Sequence, residues 1–197
     1  MEDALFCAGA GADLLGFIFY EASPRFISPA LAAKIIARLP SGVTPVGVFV
    51  NQERAAIERT TIETAIRLIQ LSGDERPDDC RGFGVPVVKA FRLRSTNDAE
   101  QLREYHLAAA MLDSATGSSY GGSGVLADFS VALAMKAYHP LFLAGGLTPD
   151  NVADAAARVR PYAVDVNSGV EASPGKKDHA KVSLLFERLG RHHPTII

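Results

Sequence analysis

The sequence predicts an α/β protein: a TIM-type (β/α)8 barrel that lacks its first β-strand. Three observations predict it. Short apolar runs alternate with helical patterns along the whole chain. The runs are apolar at nearly every position, as strands are when a parallel sheet is covered by helices on its faces. The series opens on a helix, although a βα series should open on a strand.

The apolar runs are residues 14–19, 45–50, 68–71, 85–90, 108–112, 141–144 and 163–166. The helical patterns between and after them are residues 29–38, 53–65, 76–82, 97–104, 127–137, 149–159 and 177–189. Ser28-Pro29 and Thr148-Pro149 each set a capping hydroxyl before a first-turn proline. About seven βα units favour a barrel over an open doubly wound sheet, which usually has fewer strands. No linker or low-complexity stretch interrupts them, so residues 1–197 read as one barrel domain beginning in its first helix. Residues 2–10 form that helix and run straight into a strand. Either the helix is a decoration, or one strand belongs upstream of it.

Composition narrows the function. Twenty basic against 22 acidic side chains give a net charge of −2. This balance argues against a nucleic-acid partner. No apolar run reaches the roughly 20 residues of a membrane span, and no basic region precedes an apolar one at the start. Cys7 and Cys80 form no CxxC pair and read as free thiols of a reducing cytoplasm. His106, His139, His179, His192 and His193 have no second ligand at metal spacing, so no metal is expected.

The chemistry should sit at the C-terminal ends of the strands. Arg25 lies there, in a loop stiffened by Pro24 and Pro29. It reads either as a two-pronged grip on a carboxylate or as a solvated surface arginine. Asp113 closes the run Ala108-Ala109-Ala110-Met111-Leu112 and reads as an acid, a base or a loop cap. Residues 114–124 are rich in Gly and Ser, which suits backbone contact with a ligand, a mobile lid or a plain loop. Gly145-Gly146 and Ser168-Gly169 follow the last two strands, where barrels of this kind commonly bind phosphate.

Taken together, the motifs resemble those of the phosphoribosylanthranilate isomerases. They are Gly16-Phe17-Ile18-Phe19-Tyr20, Ser23-Pro24-Arg25-Phe26-Ile27-Ser28-Pro29, Val46-Gly47-Val48-Phe49-Val50-Asn51 and Ile69-Gln70-Leu71-Ser72-Gly73-Asp74. Leu112-Asp113-Ser114, Tyr120-Gly121-Gly122-Ser123-Gly124, Ala144-Gly145-Gly146-Leu147 and Arg160-Pro161-Tyr162 follow in the family's order. The last is Val164-Asp165-Val166-Asn167-Ser168-Gly169-Val170-Glu171, continued by Pro174-Gly175-Lys176-Lys177-Asp178.

The resemblance implies a cytoplasmic isomerase of tryptophan biosynthesis. It would carry out the Amadori rearrangement of N-(5′-phosphoribosyl)anthranilate without cofactor or metal. Its partner would be a small phosphosugar. By resemblance, Asp113 is the general acid, Arg25 binds the anthranilate carboxylate and Asp165 contacts the sugar. Gly122, Ser123, Gly124, Gly145, Gly146, Ser168 and Gly169 form the phosphate side.

Two departures stand against the pattern. The family's general base is a cysteine of a Lys-Ile-Cys-Gly strand that would precede the first helix; Cys7 lies within that helix and reads as packing. Ser72 stands where the family commonly has histidine. Loss of a general base costs about 10²–10⁴-fold in rate. The alternative function is therefore a non-catalytic phosphosugar binder derived from the enzyme. A ribulose-phosphate epimerase is a third reading, disfavoured by the Arg25 and Asp165–Glu171 segments. A barrel without its first strand exposes two strand edges. The gap should be filled, for example by residues 194–197 returning beside the final strand, or copies of the chain should associate through it.

Overall fold

The computed structural model describes residues 1–113, 128–190 and 195–197. Seven strands follow one another in chain order: β1 (Leu14–Ile18), β2 (Thr44–Phe49), β3 (Leu68–Leu71), β4 (Val87–Phe91), β5 (Ala109–Leu112), β6 (Leu141–Leu143) and β7 (Ala163–Val164). Each pairs in parallel with the next. The strands differ from the predicted runs by no more than two residues at either end.

Strand alternation sorts the side chains onto two faces. Leu14, Val46, Leu68, Val88, Ala90, Ala109, Met111, Phe142, Ala144 and Ala163 pack together inside the barrel. Their neighbours, such as Phe17, Phe49, Ile69 and Leu71, face outward into the helix layer. Both faces are buried, which is why the runs show no alternation of polarity.

The helices are α1 (Glu2–Ala10), α2 (Pro29–Ile36), α3 (Arg54–Thr64), α4 (Phe129–Met135), α5 (Val152–Val159) and α6 (His179–Leu189). Ser28 caps α2 through Leu31 N–H, with Pro29 in the first turn as predicted. Asp128 and Asp178 cap α4 and α6 with their side chains. The start of α5 departs from prediction. Thr148-Pro149 forms a turn instead, and Asn151 bonds across it, so the helix begins at Val152. Two further helical patterns, after β3 and β4, are 3-10 segments, Pro77–Cys80 and Thr96–Glu104. The first is only four residues long, too short for the costly α-helical nucleus to be repaid.

The expected gap is occupied. Thr195–Ile196 forms β10 and pairs in parallel with β7, giving an eight-stranded sheet. Ile197 continues the ladder, donating to Val164 O at 3.0 Å and accepting from Val166 N–H at 3.3 Å. On its other side β10 meets Asp13, the residue before β1. Asp13 N–H donates to Ile196 O at 3.1 Å. Its carboxylate accepts Ile196 N–H at 3.0 Å. Thr44 N–H then donates to Asp13 O at 2.8 Å, so one residue ties β10, β1 and β2 together. Ile196 is 2% exposed and packs in the outer layer, while Ile197 turns to the barrel interior. The tail thus pairs the edge of β7 and meets the start of β1 within a single chain.

A buried ion pair fixes the ends of neighbouring strands. Lys89, 3% exposed on the outer face of β4, lies 3.2 Å from Glu75. Its ammonium also donates to Gly73 O and Ala90 O, at 2.8 and 2.7 Å. Glu75 accepts from Asn51 N–H at 2.8 Å and from Gly73 N–H at 2.9 Å. Burial pulls the Lys89 pKa down, and the Glu75 carboxylate opposes it. The knot therefore fastens the loops after β2 and β3 to β4.

Two stability predictions follow from these contacts. Ile196→Ala should lower the unfolding free energy by about 2–5 kcal/mol, the usual range for such a core truncation. Urea unfolding tests this, and a variant as stable as the parent would remove β10 from the folded core. Glu75→Gln should cost about 3–5 kcal/mol, because it leaves the buried Lys89 charge without its counter-ion. Glu75→Gln together with Lys89→Met should recover much of that loss in the same measurement.

Candidate active site at the C-terminal ends of the strands

Asp113 follows β5 and Asp165 follows β7. By alternation they continue the interior rows of Met111 and Ala163, so both carboxyl groups stand over the barrel's inner layer. Their backbones are held by the neighbouring strands: Asp113 N–H donates to Phe91 O at 3.0 Å, and Asp165 N–H to Leu143 O at 2.8 Å. Burial, then the Asp113 charge, push the pKa of Asp165 up to about 7, while Lys177 acts in the opposite direction.

Arg25 stands in the loop after β1, and its guanidinium grips a carboxylate with two parallel hydrogen bonds. The carboxylate it grips is the protein's own. Arg25 Nε and Nη2 donate to the two oxygens of Glu171 at 2.9 and 2.7 Å. Glu171 also accepts Gly175 N–H at 3.1 Å and lies 3.8 Å from Lys177. Burial works against the charge on Glu171, but Arg25, Gly175 and Lys177 hold its pKa below the ordinary value. Arg25 Nε and Nη2 are both engaged in this pair.

Lys177 links the two groups. It sits on the short hairpin of β8 (Glu171–Ser173) and β9 (Lys176–Lys177), and its ammonium donates to Asn167 Oδ1 at 3.0 Å. Burial lowers its pKa, countered by Glu171, Asp165 and Cys7. Asp113, Asp165, Lys177, Glu171 and Arg25 therefore form one connected set of charges around the mouth.

The two glycine loops meet at Leu147 and Gly169. Gly145 and Gly146 both have positive φ, 86° and 63°, which a side chain would resist. Gly169 is set so closely against the next loop that a methyl group there would overlap the Leu147 carbonyl. Ser168 opens the 3-10 turn Ser168–Val170 beside it. The predicted contacts at Gly122, Ser123 and Gly124 lie outside the described residues.

Sequence reasoning missed Glu171 and Lys177 as site residues, although both lie in the closing motif. It also missed Arg92. Period-2 spacing from Val88 and Ala90 places Arg92 on the inner face, and its Nη2 donates to Ser72 O at 2.8 Å. A guanidinium therefore stands beside the position where Ser72 departs from the family pattern. Ser72 Oγ accepts from Gln70 Nε2 at 3.1 Å. Cys7 packs with α6 on the outer layer, and Cys80 is buried outside the barrel, its pKa pushed up by burial to about 11. Among the described residues no group of three metal-ligating side chains occurs, and no helix is long and apolar enough to cross a membrane.

The comparisons with known proteins agree on one family. The family model described as N-(5'phosphoribosyl)anthranilate (PRA) isomerase matches residues 1–188. The N-(5'-phosphoribosyl)anthranilate isomerase of Geobacter sulfurreducens is 46% identical over 188 residues, covering 95% of this chain and 93% of the relative. That of Citrifermentans bemidjiense is 49% identical over 186 residues, covering 94% and 90%. Among solved structures, the enzyme of Thermus thermophilus superposes with a TM-score of 0.87 at 37% identity, covering 95% of this chain and 92% of that one. A phosphoribosyl anthranilate isomerase in complex with reduced 1-(o-carboxyphenylamino)-1-deoxyribulose 5-phosphate superposes with a TM-score of 0.83 at 39% identity, with the same coverage. The matched residues stop before β10, so the strand that fills the gap lies outside the family match. From barrel to motifs to relatives, the chain belongs to the phosphoribosylanthranilate isomerase family.

Proposed function

We propose that this chain catalyses the Amadori rearrangement of N-(5′-phosphoribosyl)anthranilate to 1-(2-carboxyphenylamino)-1-deoxyribulose 5-phosphate, a step of L-tryptophan biosynthesis in the cytoplasm. The observation that carries this reading is the meeting of a guanidinium, two inward carboxyl groups and two glycine turns at one end of the barrel. The substrate has one carboxylate, one sugar with protons to move and one phosphate. Those are the groups this set can receive.

Arg25 receives the anthranilate carboxylate, with Glu171 fixing the guanidinium in place. The backbone amides of Gly145, Gly146, Ser168 and Gly169 face the phosphate, joined by Gly122, Ser123 and Gly124. Asp113 protonates the furanose ring oxygen, the ring opens to a Schiff base, and loss of the C2 proton gives the enolamine. The enolamine then becomes the ketone. Asp165 stands between the acid and the phosphate turns, beside the sugar. Residues 1–197 act as one barrel domain, and a small phosphosugar is the partner.

Expression in a tryptophan auxotroph lacking this isomerase tests the reading. Rescue is expected, and it should be lost in Asp113→Asn. Failure to rescue, with a purified chain that binds the reduced product but turns over nothing, would instead identify a binder. Glu171→Gln should raise KM by about tenfold with a smaller change in kcat, because it loosens a group that holds substrate rather than one that reacts. Steady-state kinetics following anthranilate fluorescence would read both parameters; an unchanged KM would mean that Glu171 does not set the Arg25 geometry.

A further inference from the structure

We propose that Lys177 is a positioning residue: its ammonium staples the two flanks of the phosphate turn Ser168–Val170, and Asp3 of α1 holds the lysine in place. The inference rests on the reading above for where the phosphate sits, and adds to it what fixes that turn.

The turn has little of its own to hold it. Its internal bonds run from Val170 N–H to Asn167 O, at 3.3 Å, and from Glu171 N–H to Ser168 O. Such 3-10 bonds have poorer geometry than those of an α-helix. Lys177 adds to them from outside. Its ammonium donates to Asn167 Oδ1 at 3.0 Å and to Asn167 O at 3.2 Å, just before the turn. It lies 3.8 Å from Glu171 Oε1, just after the turn. One side chain thus spans residues 167 and 171. Gly169, between them, has no room toward the Leu147 carbonyl, so a shift of this turn would press on the Gly145–Gly146 loop as well.

The charge of Lys177 is not needed to neutralise Glu171. Arg25 already does so, with bonds of 2.9 and 2.7 Å. What Lys177 supplies is the tie to Asn167, which among the described residues has no other side-chain partner. Burial opposes the charge on Lys177. Ions held against that cost can serve register more than stability. The residues that follow keep to the same turn. Asp178 N–H donates to Val170 O at 2.9 Å, and Lys181 Nζ donates to Glu171 O at 3.1 Å.

Lys177 needs an anchor itself, because it ends a two-residue strand in a two-stranded hairpin. Such a hairpin is marginal alone. Asp3 is the anchor. Its Oδ2 accepts Lys177 N–H at 2.9 Å, and its Oδ1 meets His179 Nε2 at 2.8 Å. The His179 ring in turn stacks on Phe6, with centroids 3.9 Å and planes 7° apart. Burial works against the charge on Asp3, but the Lys177 amide and His179 hold its pKa below the ordinary value. Both carboxylate oxygens are therefore spent on residues 177 and 179, and α1 reaches the mouth through them.

Binding is measured on the purified chain by displacement of the reduced product, which needs no turnover. Two half-substrates are the probes: ribose 5-phosphate carries the phosphate and anthranilate carries the carboxylate. Lys177→Met should weaken ribose 5-phosphate by about tenfold, the effect of one lost charge-assisted hydrogen bond, and leave anthranilate within about threefold. Asp3→Ala should act in the same direction. Added to Lys177→Met, it should cost less than about a further twofold, because both residues act through one chain of contacts. In an active chain, Lys177→Met should raise KM by a larger factor than it lowers kcat.

If Lys177→Met does not fold, Lys177→Gln, which lacks the charge, replaces it under the same expectations. Equal weakening of both probes would mean a generally loosened mouth. A greater loss of anthranilate would mean that Lys177 touches the carboxylate itself. Unchanged ribose 5-phosphate affinity would mean that the turn holds without the staple, and full additivity with Asp3→Ala that Asp3 is no anchor. Each of these results overturns the proposal. A wild type that binds both probes without turnover overturns the isomerase reading and leaves this inference standing. A wild type that does not bind ribose 5-phosphate overturns the placing of the phosphate, and the inference with it.

Discussion

The structure depends on how β10 enters the wall of the barrel. A parallel barrel has no stable edge, because each strand's backbone groups need a partner on both sides. Three residues meet that demand along β7 and, through Asp13, at the start of β1. Asp13 makes this possible by doing what a longer strand would do. Its backbone donates to one side, its carboxylate accepts from the same side, and its carbonyl serves β2 on the other. The ring closes through a side chain where a full ladder is not formed. Asp165 leaves β7 directly beside this closure, so the shape of the mouth follows from it.

Two ionic clamps then hold the mouth. Glu75 and Lys89 lock the loops after β2 and β3 from the outer side, and Arg25 and Glu171 join the loop after β1 to the turn after β7. Buried ion pairs contribute little net stability compared with apolar packing. Their use here is positional. The Arg25 pair joins residues 146 positions apart in sequence and fixes the guanidinium against the turn after β7. Lys177 of the same cluster also acts on Asp165, opposing the rise that burial and Asp113 impose.

Most of the barrel was legible in the sequence, because strands buried on both faces declare themselves as continuous apolar runs. The strand at residues 68–71 was read to the residue. Helix ends were less legible. Ser28 behaved as a cap, but Thr148 Oγ1 accepts Asp150 N–H within a turn that Asn151 braces, and the helix starts only after it. Arg25 and Asp113 were visible as charged residues at strand ends, whereas Asp165 lay inside the apolar run at residues 163–166 and came only from the family resemblance. Glu171 and Lys177 were not visible, since their importance comes from a contact between distant segments. Arg92 could have been found by carrying the period-2 pattern of Val88 and Ala90 one step further. The tail was the hardest element. A Thr-Ile-Ile stretch carries too little periodicity to be recognised, and only the shape of the gap made it a candidate.

The order of the strands around the ring has a consequence for biosynthesis. β10 closes the wall between the first and the seventh strands, yet it leaves the ribosome after all the others. Until residues 195–197 emerge, the outer edge of β7 lacks the partner that β10 gives it. Such edges are where growing chains stick to one another or recruit chaperones. The closing contact also spans 183 residues, between Asp13 and Ile196, so it forms late by loop entropy as well as by timing. Extra sequence fused behind the tail, such as a purification tag, would therefore test the barrel at its slowest step.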